Sequence, residues 1–163
     1  TPDLTNPLFS IQTGQQRSRG FEADLTWEPT RALSILANYA YTDAEVTRDN
    51  AIPVGDRLAR VPRHSGRIAF RYRVLEGAAQ GLSFGAGITA VSSRQLTLPN
   101  TVSVPGMATV DAQASYDFGR YTIQVSGYNL TGRRTFEPYQ YFGFPVVMPT
   151  QSRSFYLTLK VRI

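Results

Sequence analysis

The sequence has no cysteine, so neither a disulfide framework nor a thiolate metal site is open to it. Histidine occurs once, at His64, which excludes a multi-histidine metal centre. Ser65 beside it points to the opposite face of any strand that carries both, so no serine triad is supported. Phosphate-cradling glycine loops, paired catalytic carboxylates and dinucleotide-binding motifs are missing, and the expectation is a protein that is not an enzyme and holds neither a resident metal nor a cofactor. No stretch approaches the roughly 18 consecutive apolar residues that a transmembrane helix needs. The mean hydropathy of −0.23 is too low for a helical membrane protein but compatible with a barrel whose interior is wet. A net charge of +5 is spread over strands and loops without a continuous basic run, which argues against a nucleic-acid partner. The 163 residues suit one domain, and a start at Thr1 without a signal-peptide pattern predicts a processed product or a piece of something longer.

What the sequence has is alternation. At its end Phe155, Leu157, Leu159, Val161 and Ile163 share one face, and Tyr156, Thr158, Lys160 and Arg162 share the other. The same pattern predicts strands over about 18–28, 32–44, 67–74, 82–91, 108–118 and 121–126, with a weaker first strand over 8–12, about eight in all. Most approach the roughly 9 to 11 residues of a bilayer-spanning strand. Between them, short links at 28–31, 75–80 and 118–120 alternate with long ones at 45–62, 93–105 and 131–152. Only the link near Gly14 breaks the parity. The prediction is an all-β fold, an antiparallel transmembrane β-barrel wall whose short turns lie on the periplasmic side and whose long loops lie outside.

Aromatic residues fit that orientation. Trp27, Tyr72, Phe84, Tyr116, Phe118 and Tyr121 fall on apolar faces near the short-turn ends, while Tyr39, Tyr41 and Phe155 fall near the other. Two girdles flanking an aliphatic band are expected where amphipathic rings sit at headgroup level.

Four segments carry a family resemblance: Arg17-Ser18-Arg19-Gly20-Phe21-Glu22, Ala37-Asn38-Tyr39-Ala40-Tyr41-Thr42-Asp43, Val61-Pro62-Arg63-His64, and Val125-Ser126-Gly127-Tyr128-Asn129-Leu130-Thr131. In order and spacing the chain resembles the last third of a TonB-dependent outer-membrane receptor of the siderophore-receptor type. The resemblance implies that residues 1–163 are the C-terminal portion of a 22-stranded barrel. It also implies localisation in the outer membrane of a Gram-negative bacterium, a ferric siderophore or similar chelate as transported ligand, and outer-membrane lipid as surroundings. Its remaining partners would be the plug domain and TonB, both reached through upstream parts that this sequence does not contain.

The polar faces and long loops supply the candidate site residues. Glu22, Asp24 and Glu28 form an acidic row, and Arg67, Arg71 and Arg73 a basic one two strands away; such charge must face water or a plug. The 131–152 loop carries Phe136, Tyr139, Tyr141, Phe142 and Phe144, and rings at a loop tip suit the apolar flanks of an iron chelate. Tyr139, Tyr141 and Phe142 are the expected ligand contacts there, and Arg57 and Arg60 in the 45–62 loop are placed to attract an anionic chelate. Each has a plainer reading as lumen-lining charge, self-packed rings or solvated loop charge. Two other architectures remain open: an autonomous eight-stranded outer-membrane barrel and a soluble lipocalin-like carrier. Ser83, Gly85, Gly87 and Thr89 would leave gaps inside an eight-stranded barrel, which favours the larger one.

Overall fold

The computed structural model describes Leu8 and residues 14–162. Most of the segment expected as a first strand over 8–12 lies outside the described residues, as does Ile163. Seven strands form one antiparallel sheet: β1 (Gln15–Trp27), β2 (Leu33–Arg48), β3 (His64–Arg73), β4 (Leu82–Val91), β7 (Met107–Phe118), β8 (Tyr121–Tyr128) and β11 (Ser154–Val161), in that order across it. Two hairpins stand within the long links, β5 (Arg94–Gln95) with β6 (Ser103–Val104), and β9 (Phe136–Tyr141) with β10 (Phe144–Pro149). No helix occurs among the described residues.

The register carries each strand's apolar positions into one continuous surface. Trp27 opposes Ile35, Ile35 opposes Phe70, Phe70 opposes Ala86 and Ala86 opposes Ala112. Farther along, Ala114 opposes Val125 and Val125 opposes Leu157. Partners across a ladder share a face, so one slip of register would have scrambled this surface. At the short-turn end Tyr72 meets Phe84 with centroids 5.4 Å apart, and Tyr116, Phe118 and Tyr121 stack in a row at 5.9 and 5.6 Å. At the other end Phe21 lies 5.6 Å from Tyr39 and 5.9 Å from Tyr41, and the ring of His64 lies 5.2 Å from that of Tyr41. Aliphatic side chains such as Leu25, Ile68 and Ile88 lie between the two belts.

The short links Gly119 and Arg120, 28–32 and 74–81 are all at one end, and 49–63, 92–106 and 129–153 at the other. Three strands reach three or more residues farther towards the long loops than their alternation predicts. β1 begins at Gln15 rather than near Ser18, β2 runs on to Arg48 rather than Ala44, and β3 begins at His64 rather than Arg67. Beyond the end of β3, the returning loop takes over the edge of β2: Thr42, Val46 and Leu58 donate to Arg63, Asp56 and Ala44. Backbone groups there are paired before any side chain is considered.

Burial excludes the soluble alternative. Among the described residues the buried apolar side chains are Ala44, Val46, Val104 and Pro138, all near the long-loop end. Leu25, Leu157 and Leu159 stand open at 53%, 76% and 62% exposure, and a soluble domain would forgo about 1.5–3 kcal/mol at each. A closed eight-stranded barrel is likewise not formed among the described residues, because β1 and β11 are the two edges of the sheet and do not pair with each other.

The facing assignment yields a direct test. In the full-length protein that carries this segment, Leu159→Arg on the apolar face should cost roughly 2–4 kcal/mol in a liposome-refolding titration, and Thr158→Arg on the polar face much less. Equal costs would show that the two faces are wrongly assigned.

Candidate functional site

At the long-loop end, three connections are laced into one body. Asn100 is the hub of the first two: its side chain accepts from the Arg57 amide and donates to the Arg57 carbonyl, both at 2.8 Å, while its own amide donates to Asp56 Oδ2 at 2.8 Å. The Arg60 amide donates to the Gln95 carbonyl at 2.7 Å. Arg94, at 6% exposure, reaches from β5 to the carboxylate of Glu137 on β9 and to the Phe136 carbonyl at 3.4 Å, which ties in the third connection. The root of that connection is gathered by buried Asn129, whose amide group donates to the carbonyls of Arg133 at 2.8 Å and Gln151 at 3.1 Å. Next to β2, the Asp49 carboxylate accepts from the amides of Ala51 at 2.8 Å and Ile52 at 3.0 Å. Those two bonds hold its pKa below the ordinary carboxylate value, so this turn keeps its bonds at neutral pH and loses them only as acid carries the pH down through that lowered pKa.

A cavity of about 460 Å³ lies between the laced loops, its walls made largely by Leu58, Arg60, Leu96, Leu98, Tyr139 and Pro145. Two residues expected to touch ligand, Arg60 and Tyr139, converge here from connections far apart in sequence. Arg60 is held at φ 70°, a backbone conformation uncommon outside glycine, by the loop contacts on either side. Mostly apolar walls with one guanidinium, one phenol and the neutral polar side chains of Gln16, Thr97 and Gln140 suit a bulky, partly apolar solute that carries negative charge.

The other expected contacts are placed differently. Arg57 meets Asn100 through its backbone and does not line this cavity. Tyr141 and Phe142 stand at the tip of the β9–β10 hairpin, their rings 4.6 Å apart edge to face and exposed at 61% and 84%. Phe142 and Gly143 form the two-residue turn with φ 46° and 84°, the signs of a type I′ turn. A phenylalanine in that conformation is strained by about 1–2 kcal/mol. An open aromatic held at that cost is a feature stability alone does not explain.

The polar face gathers the remaining candidates. Asp24 opposes Asn38, which opposes Arg67, and Arg71 opposes Gly85. Arg67 turns away from the acidic row: its guanidinium crosses β4 to Thr89 Oγ1 at 2.6 Å and Asp111 Oδ2 at 3.2 Å. Gly87 makes this reach possible, since a Cβ there would come within 2.8 Å of the guanidinium. Arg73 pairs with Asp117 at 3.8 Å. Glu22, Asp24 and Arg71 make no ion pair among the described residues, although Glu22 and Asp24 share the face and the height of the expected lumen. Asp111, Asn100, Arg94 and Asn129 were not singled out from sequence, because each has a partner 18 to 44 residues away that leaves no local pattern.

A sheet with an aliphatic band between two aromatic belts on one face, hydrogen-bonded charge on the other, short turns at one end and long laced loops at the opposite end is a section of transmembrane β-barrel wall. The chain belongs to the TonB-dependent receptor β-barrel family: residues 1–130 match the family described as TonB dependent receptor-like, beta-barrel. Over 139 residues it is 36% identical to the metal-pseudopaline receptor CntO of Pseudomonas aeruginosa (strain UCBPP-PA14), covering 84% of this chain and 20% of that one. It is 30% identical over 128 residues to the ferrichrome outer membrane transporter/phage receptor of Escherichia coli (strain K12), covering 78% and 17%. The crystal structure of the siderophore receptor PiuA from Acinetobacter baumannii superposes with a TM-score of 0.80 at 25% identity, over 91% of this chain and 22% of that one. The chain thus spans about a fifth of the length of these relatives.

The lacing makes the loop body sensitive to one side chain. Asn100→Ala in the full-length protein removes three side-chain hydrogen bonds, with the Arg57 amide, the Arg57 carbonyl and the Thr97 carbonyl, each worth about 0.5–1.5 kcal/mol, and leaves the backbone bond to Asp56 in place. Amide hydrogen exchange at Arg57, whose acceptor is lost, should accelerate at least about fivefold while the amides of β3 and β4 stay unchanged. Unchanged exchange at Arg57 would show that the loops hold together without it.

Proposed function

We propose that this segment is the C-terminal portion of the barrel of a TonB-dependent receptor in the outer membrane of a Gram-negative bacterium, and that the whole receptor imports a ferric siderophore or a similar metal chelate. The observation that carries the reading is the cavity between the long loops, which Arg60 and Tyr139 line together among mostly apolar walls. That chemistry fits an anionic chelate with apolar or aromatic flanks, and relatives named for ferrichrome and metal-pseudopaline support the same class of cargo. The exposed pair Tyr141 and Phe142 serves as first contact above the cavity, and Arg57 adds positive charge at its border. The plug domain and TonB act from outside this segment, and Glu22, Asp24, Arg67, Arg71 and Arg73 line the lumen that the plug occupies. The segment contributes wall, lumen charge and outer loops, and catalyses no reaction.

Binding tests this reading at the cavity. In the full-length receptor, Arg60→Ala combined with Tyr139→Ala should weaken ferric-chelate binding by about 1 kcal/mol or more, roughly fivefold, while the barrel remains heat-modifiable on a gel. Unchanged affinity in the assembled variant removes the cavity from the ligand site. Topology has its own check: in a cysteine-free background, Tyr141→Cys should react on whole cells with a membrane-impermeant thiol reagent, and Thr30→Cys should not. Labelling at Thr30 would invert the orientation.

A further inference from the structure

The cavity between the long loops is nearly bare of charge. Gln16 enters it from β1, Arg60 from the 49–63 connection, Thr97 from the 92–106 connection, and Tyr139 and Gln140 from β9. Among the described residues of its lining Arg60 carries the one charge, and no carboxylate joins it. Two other cations of the loop body are accounted for elsewhere. Arg94 is buried against the carboxylate of Glu137, so that pair is neutral as a unit. Arg57 is held through its backbone by Asn100 and stays outside the walls. Arg60 itself makes no ion pair among the described residues, which leaves its guanidinium free for a solute.

Charge number decides what such a site accepts. Against mostly apolar walls an ion gives up part of its hydration, and each charge left without a partner counts against binding. One guanidinium offsets one negative charge. Gln16, Thr97 and Gln140 add amide and hydroxyl groups, which match neutral carbonyl and amide groups on a ligand and neutralise nothing. A ferric ion held by three hydroxamates forms a neutral centre, whereas three catecholates leave a triply negative one.

We propose that Arg60 sets a charge limit on the cargo: the chelate admitted carries at most one net negative charge, as a trihydroxamate with a single free carboxylate does, and triply negative tris-catecholates are rejected. The guanidinium supplies the single compensating charge. Its root is fixed by the backbone, where the Arg60 amide donates to the Gln95 carbonyl at 2.7 Å. This limit rests on the cavity being the chelate site, as given under Proposed function, and it narrows the cargo to one class of chelate.

The test uses the purified full-length receptor and one linear ferric trihydroxamate whose terminal amine is left free, acetylated or succinylated. The three complexes are then singly positive, neutral and singly negative around the same iron centre. A ferric tris-catecholate supplies the triply negative case, and equilibrium binding of the radioiron-labelled complexes gives each affinity. The wild-type receptor should hold the succinylated form about tenfold more tightly than the amine form, and the tris-catecholate at least about tenfold more weakly than the succinylated form. Arg60→Gln should level the three hydroxamate affinities, whereas Arg60→Lys, which keeps the charge, should preserve their order. The same order in wild type and Arg60→Gln, or tighter binding of the tris-catecholate than of the succinylated form, overturns the charge limit and leaves the import reading in place. Loss of order in Arg60→Lys equal to that in Arg60→Gln makes Arg60 a loop residue only and overturns the limit as well. If an assembled, heat-modifiable barrel binds none of the four complexes, the reading of the cavity as a chelate site falls first and the charge limit with it.

Discussion

Every feature of this segment follows from one requirement: in hydrocarbon, a backbone N–H or C=O without a partner costs several kcal/mol, and no water is present to supply one. Strands that hydrogen-bond to both neighbours meet it, and the sequential order from β1 to β11 supplies a neighbour to each strand between the edges. Side chains are then free to follow their surroundings, apolar towards lipid and polar towards the interior. The scarcity of buried apolar side chains follows from the same cause, since neither face of the sheet is meant to pack against the segment itself. Where the strands rise beyond the membrane, the requirement persists in a milder form, and the chain answers it by laying its own loop along the free edge of β2.

The strand faces were legible because alternation of period two is the signature of a two-faced wall, and the gathering of short links at one end and long links at the other was legible because link lengths alternate. The outer ends of the strands were not. Around Arg17, Arg19, Asp43 and Glu45 the pattern inverts, with charge on the face that is apolar farther down and buried Ala44 and Val46 on the other, so the contrast that marks a continuing strand is lost although the ladder continues. The hairpins in the loops were hidden for a different reason. Pro138, Pro145 and Pro149 read as strand breakers, yet a two-stranded ribbon tolerates proline at its edges, and the turn is made by Phe142 and Gly143 rather than by an asparagine-glycine pair.

Of the candidate site residues, Arg60 and Tyr139 were chosen on loop position and residue type, and their convergence on one cavity was not legible. That convergence depends on Asn100 and Arg94, which act across more than forty residues of sequence. The charged rows on the polar face were recognisable as charge, whereas their pairing was not. Arg67 finds Asp111 only because the intervening strand offers Gly87, and the register that places those three in line is a property of the assembled sheet.

Asp111 divides its carboxylate between two distant obligations. Oδ2 holds Arg67 on the polar face, and Oδ1 accepts the amide of Asn129, the residue that gathers the root of the longest loop. One carboxylate is therefore the shared anchor of the polar face and of the loop's root. Moving Arg67 would disturb the same group that fixes Asn129, so the two are joined through a single side chain rather than through the loop itself.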